Sequence, residues 1–327
     1  MAALPTAAEP ELPPVRWKLP LGLFVATVVS VFLTGAGWDA PKEADYVWLL
    51  THLYRGWTFA VPLMAILVTH EAGHYIAARI HGVPASLPMF IPLPIFSPFG
   101  TMGAVIGMSS RIRSRNALLD IGAAGPLAGM AVAIPVLVWG LMQSEVKAIE
   151  GSGLMEGQCL LYVGIKQLLF GTIPADHDVF LHPTAFAGWT GLFVTMINML
   201  PVLQLDGGHI AYALFGDRQA VFGKVVHYSL PLWFVFNYLV YREASPGMPW
   251  LVWFGLLMLM RRAAGGEEHP PYDPGETLSP MRKVVAVGTL LMFVLIFMPT
   301  PLRAYGDPAE AGAAETPTEA PADSSQK

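Results

Sequence analysis

Apolar runs close to 20 residues long recur along most of the chain, each closed by a polar or Gly/Pro-rich break. The first is LPLGLFVATVVSVFLTGAG over 19–37. The next three cover about 58–78, 117–142 and 184–200, and later runs fall near 225–241, 249–260 and 284–299. About 20 consecutive apolar residues is the length of a helix that crosses hydrocarbon. The pattern therefore predicts an all-α polytopic membrane protein with about 6–8 transmembrane segments. One stretch breaks the rhythm. After the second run comes GVPASLPMFIPLPIFSPFGTMGAVIGMSS, whose prolines forbid a long regular helix. Within it TMGAVIGM is short, apolar and Gly-punctuated, which suits a strand or a short re-entrant β element. The third run contains GAAGPLAGMA, with Gly125 and Gly129 four apart for close helix packing.

Composition agrees. Of 327 residues 54% are hydrophobic and only 13% charged, where soluble domains carry about 25% charged residues. A net charge of −5 offers no basic patch for nucleic acid, so the expected surroundings are a lipid bilayer. Cys159 is the sole cysteine, which excludes an intrachain disulfide and a thiolate zinc site. The N-terminus lacks the layout of a cleavable signal peptide, so the first run reads as a retained anchor. The domain reading is a cytoplasmic segment 1–18, a membrane-embedded core 19–215, additional transmembrane segments 216–300, and a disordered acidic tail 301–327. The stretch 143–183 is polar enough to lie outside lipid, and Trp38, Trp48, Trp189 and Trp250 near segment ends suit an interfacial belt.

With the N-terminus placed in the cytoplasm, inside loops hold twelve of the 19 Lys and Arg residues and outside loops seven. That bias favours the cytoplasmic N-terminus. The second and fourth segments then both run from outside to inside.

The second segment holds LVTHEAGHYIAA, residues 67–78, where three ionisable groups sit in an apolar run. His70 and His74 are four apart and share one helix face, a spacing that lets both imidazoles reach one tetrahedral zinc. Glu71 projects beside such a metal and can take a proton from a water that the metal has acidified. HEAGH is thus the zincin pattern on a helix. With 9 histidines in the chain, composition alone gives about 0.01 expected occurrences, so chance is set aside. Packing alone would not call for ionisable groups that cost about 2.5 kcal/mol or more at the bilayer centre. Two histidines under-coordinate a zinc. NMLPVLQLDGGH, residues 198–209, supplies Asp206 past the end of the fourth segment, with His209 three residues on as the rival ligand. The two glycines after Asp206 permit tight backbone approach.

HExxH on a membrane helix, followed about 130 residues later by N-x-x-P-x-x-x-L-D-G-G, resembles the site-2 protease family of intramembrane zinc metalloproteases over about residues 58–215. The resemblance implies one Zn2+ per chain held by His70, His74 and Asp206, with Glu71 as catalytic base. It implies a role for Asn198 in holding substrate or the developing oxyanion. PFGTMGAVIGM resembles the family's β element, which offers an edge to an extended substrate, with Gly100 and Gly103 in it for substrate alignment. The implied partner is a transmembrane protein substrate, cut near the cytoplasmic face in a prokaryotic inner (plasma) membrane. Nothing in the sequence sets an oligomeric state.

Of the other conspicuous residues, His52, His81, His177, His182, His227 and His269 read as interface or solvent residues, and Asp120 as a polar contact. RIRSR at 111–115 reads as a topology anchor. A divalent-metal transporter would use the same ligands but needs further His or carboxylate groups along a path. A non-proteolytic membrane module derived from the protease fold would show a damaged motif, whereas Glu71, both histidines and Asp206 are all present.

Overall fold

The computed structural model describes residues 17–305 apart from 39, 42, 95, 108–111, 113, 152 and 264–275. Each apolar run becomes a helix within about four residues of its expected bounds, except the run near 225–241, whose helix starts seven residues earlier, at Arg218. Four helices build the centre: α1 (Lys18–Trp38), α3 (Trp57–Ile80), α4 (Arg115–Leu141) and α6 (Pro183–Asn198). The short α2 (Tyr46–Thr51) precedes α3. After α6 come α7 (Asp206–Phe215), α8 (Arg218–Tyr241), α9 (Met248–Ala263) and α10 (Pro280–Ile296). By length and composition alone, α1 and α4 are apolar enough to cross a membrane. The helix α3 is 24 residues long but carries His70, Glu71, His74 and Arg79.

Small residues let the central helices touch backbone to backbone, the mode of packing available where lipid competes for every apolar contact. Gly73 of α3 faces the Ala124 carbonyl of α4, and Gly188 of α6 faces Leu137 of α4. A methyl group at either would stand within 2.6 Å of that backbone. The core between α3, α4 and α6 is filled by Leu63, Ile66, Leu137, Trp189, Leu192 and Met196, all nearly inaccessible.

The short β element expected after α3 is present, and among the described residues two further two-stranded antiparallel sheets amend the all-α expectation. A hairpin of β1 (Met89–Pro92) and β2 (Thr101–Val105) follows α3, where the Pro-rich stretch interrupts helix formation. It docks on α1 through the Ser30 hydroxyl, which donates to the Gly100 carbonyl (2.5 Å). Gly100 has φ +74°, and a side chain there would strike Ser30, Val31 and Thr34. The polar stretch after α4 is itself built: β3 (Glu145–Ala148) pairs with β5 (His177–Phe180) around β4 (Gly153–Glu156) and α5 (Leu160–Phe170). The acidic tail does not begin at 301, because β6 (Leu302–Tyr305) pairs with β4; residues 306–327, like 1–16 and His269, lie outside the described residues.

Two of the four tryptophans read as an interfacial belt are core residues. Trp189 and Trp250 are fully buried, and their indole N–H groups donate to the Gly157 and Pro299 carbonyls, each at 2.8 Å. A buried tryptophan needs such an acceptor, and both acceptors come from remote segments. His227 likewise is fully buried inside α8, its Nε2 3.1 Å from the Phe254 carbonyl.

Candidate metal centre

The turn of α3 that carries HEAGH is buried: His70, Glu71 and His74 are each 4–6% exposed. His74 lies six residues before the end of α3, about 9 Å along the axis at 1.5 Å per residue. The turn faces α4, and the sequence of α4 explains how it fits. Gly125 stands opposite the His74 imidazole and Gly129 opposite His70. The two glycines four apart are therefore seats for the two histidines four apart, a more specific role than helix packing in general.

His74 Nδ1 lies 2.8 Å from the Ile121 carbonyl. A carbonyl only accepts, so Nδ1 carries the proton and Nε2 presents a lone pair to the other side. On that side His70 Nε2 is 3.1 Å away, and Asp206 reaches both histidines, Oδ2 to His70 Nε2 and Oδ1 to His74 Nε2, each at 3.2 Å. With His70 Nε2 also unprotonated, as metal binding requires, the three groups turn lone pairs toward one shared point that a cation would fill. The three donor groups lie within 4.8 Å of one another, close enough for one ion to reach all three. Two imidazole nitrogens and a carboxylate oxygen are also a donor set that zinc accepts. Among the described residues, His70, His74 and Asp206 form one group able to hold a metal ion, and there is no second such group.

Asp206 reaches this point because it is the first residue of α7, and the turn behind it closes tightly. Side chains at 207 and 208 would strike the carbonyls of Met199 and Leu203, within about 2 Å. His209 is on the same helix and buried, but its Cβ faces Gly122 of α4, and it is not in the His70–His74–Asp206 group. Asn198 is the half-buried last residue of α6, seven residues upstream of Leu205. Gly100 is turned into α1. At Gly103, with φ +97°, an added methyl group would meet, among the described residues, only Val194 of α6 within 4 Å.

Sequence reasoning passed over the groups around the ligands. Asp120, read as a polar contact, and His81, read as an interface or solvent residue, pair with each other at 2.8 Å beside Ile121. Arg115, read as a topology anchor, sends its guanidinium to the Ala213 and Leu214 carbonyls at the end of α7. No local pattern announces either contact.

Residues 58–239 match the model of peptidase family M50, a stretch that contains every member of the cluster. The chain belongs to this family. The M50 match covers more than half of the 327 residues, and the family is the one that the paired motifs resemble. Among relatives, a rice protein (Oryza sativa subsp. japonica) named probable zinc metalloprotease EGY1, chloroplastic, is 35% identical over 213 residues, 62% of this chain and 35% of its own length. The Arabidopsis thaliana protein of the same name is 32% identical over 271 residues, 80% of this chain and 46% of its own length. Arabidopsis thaliana EGY2, also named a probable zinc metalloprotease, is 28% identical over 75% of this chain and 42% of its own length. This M50 chain thus spans between about a third and a half of the length of these three relatives. No solved structure matches it.

Proposed function

We propose that this chain is an intramembrane zinc metalloendopeptidase that hydrolyses peptide bonds of membrane-spanning protein substrates. The observation that carries the reading is the convergence of His70, His74 and Asp206 at 3.1–3.2 Å beside a buried Glu71. Membership of M50 and relatives named zinc metalloproteases support it. In this reading His70, His74 and Asp206 would hold one zinc. When bound, zinc supplies Lewis-acid polarisation of the scissile carbonyl and acidifies the attacking water.

Glu71 takes the proton from that water and later delivers one to the leaving amine. Asn198 donates a hydrogen bond to the oxyanion. A helix in lipid satisfies its own amides, so the substrate must unwind locally before its carbonyl can be reached. The β1–β2 hairpin offers an edge on which an unwound strand can pair, with Gly103 keeping side-chain bulk off that strand. Gly100 serves alignment indirectly, by seating the hairpin on α1.

The helices α1, α3, α4, α6, α8, α9 and α10 fit a chain of six to eight membrane crossings, with the N-terminus and the ligand turn near the same face. Relatives named chloroplastic weigh toward an organellar membrane, and against the prokaryotic plasma membrane expected from the sequence. A transporter reading expects ligand groups along a path, and the described residues hold one group.

The test is cleavage of a single-span reporter protein reconstituted with the chain in liposomes. The reading expects a zinc-dependent cut, abolished by Glu71→Gln. A chain that binds zinc tightly and cuts none of a broad set of reporter spans would contradict it.

A further inference from the structure

Residues 276–282 lie beyond the stretch that matches M50, yet they grip the helix that seats both histidines. The Glu276 carboxylate accepts from the Ser114 hydroxyl (2.9 Å), the Arg115 backbone N–H (2.5 Å) and the Asn116 side-chain amide (2.7 Å). It thereby covers the start of α4, where unpaired N–H groups and the helix dipole favour an anion. One turn further along, Arg282 of α10 forks onto Asp120, with Nε 3.0 Å from Oδ1 and Nη2 2.6 Å from Oδ2. The same carboxylate meets His81 at the end of α3.

These contacts lead inward to the metal centre. Asp120 is followed by Ile121, whose carbonyl accepts from His74 Nδ1. Arg115, held through its own N–H by Glu276, clamps the end of α7, the helix that begins with Asp206. The first two turns of α4 therefore touch both ligand-bearing helices, and residues 276–282 fasten those same turns.

We propose that Glu276 and Arg282 are positioning residues of the metal centre, fixing the depth and rotation of α4 so that the Ile121 carbonyl meets His74. The proposal rests on the reading of His70, His74 and Asp206 as zinc ligands. A bidentate guanidinium–carboxylate fork fixes rotation as well as distance, whereas an ammonium holds distance only. An imidazole whose orienting acceptor has moved aims its Nε2 less well, and loss of such outer partners costs about 10- to 100-fold in metal affinity.

The test is metal titration of the full chain in detergent, with Zn2+ against a chelator and with Co2+ followed by its visible absorption bands. Arg282→Met and Glu276→Gln are each expected to weaken Zn2+ binding by about 10-fold and to shift the Co2+ bands. Arg282→Lys is expected to lie between Arg282→Met and the unaltered chain. A clamp that serves the fold alone would lower the melting temperature of the metal-free protein and leave metal affinity and bands unchanged; that result overturns the proposal. If Arg282→Met fails to fold, Arg282→Lys and Glu276→Gln carry the same comparison. An unaltered chain that takes up no metal overturns the metal-centre reading itself, whereas tight binding that is equal in all variants overturns only the positioning role.

Discussion

Gly125 of α4 leaves the space that the His74 imidazole fills: a methyl group at 125 would stand 2.0 Å from His74 Nε2, the nitrogen that faces His70 and Asp206. At Gly129 the corresponding approach is 3.0 Å, to His70 Nδ1, a nitrogen pointing away from the cluster. The two glycines thus differ in what a substitution would disturb. Gly125→Ala is expected to weaken zinc binding by more than about 100-fold, and Gly129→Ala by about 10-fold. Equal zinc dissociation constants for the two variants would show that α4 does not seat the histidines in this way.

Glu71 is buried on the ligand turn and lies outside the His70–His74–Asp206 group. Glu71→Gln is therefore expected to keep its zinc while reporter cleavage falls by about 10²- to 10⁴-fold. Loss of zinc in this variant would make Glu71 a ligand or a structural partner rather than the base.

Asn198 is assigned to the oxyanion, a charge that exists only during reaction. Asn198→Ala is expected to lower kcat by about 10²- to 10³-fold with little change in KM. A change confined to KM would move Asn198 to substrate holding.

The helices and the ligand turn were legible because their signals are local. Apolar runs of about 20 residues, the HEAGH spacing and the glycines at 125 and 129 need no knowledge of distant chain. The third ligand was less so. Asp206 and His209 are three apart, close to one helical turn, and both offer a metal donor. Tertiary packing separates them: the first turn of α7 turns Asp206 toward α3 and His209 toward Gly122. Trp189 and Trp250 were misread for the same reason, since the carbonyls that satisfy them lie at Gly157 and Pro299. The contacts of Glu276 and Arg282 with α4 bridge about 160 residues, a distance over which no pattern in one sequence speaks.

Glu276 lies outside the helices and titrates. Burial would raise its pKa, but the Arg115 N–H, the Ser114 hydroxyl and the Asn116 amide outweigh burial and hold it below the ordinary 4.5. A carboxylate with a lowered folded-state value stabilises fully above pH 4.5 and loses that contribution as pH falls through the lowered value. The unaltered chain is therefore expected to exceed Glu276→Gln in stability by about 0.3–1 kcal/mol at pH 7. The gap should close in acid. A gap that stays constant from pH 7 to below pH 4 would contradict the cap at α4.

The most direct measurement is zinc per chain in detergent-purified protein, comparing the unaltered chain with Asp206→Ala, His209→Ala and Glu71→Gln. About one zinc is expected in the unaltered chain, in His209→Ala and in Glu71→Gln, and loss of zinc in Asp206→Ala. Zinc retained by Asp206→Ala and lost from His209→Ala would contradict the ligand set, and no zinc in the unaltered chain when zinc is supplied would contradict the metal centre altogether.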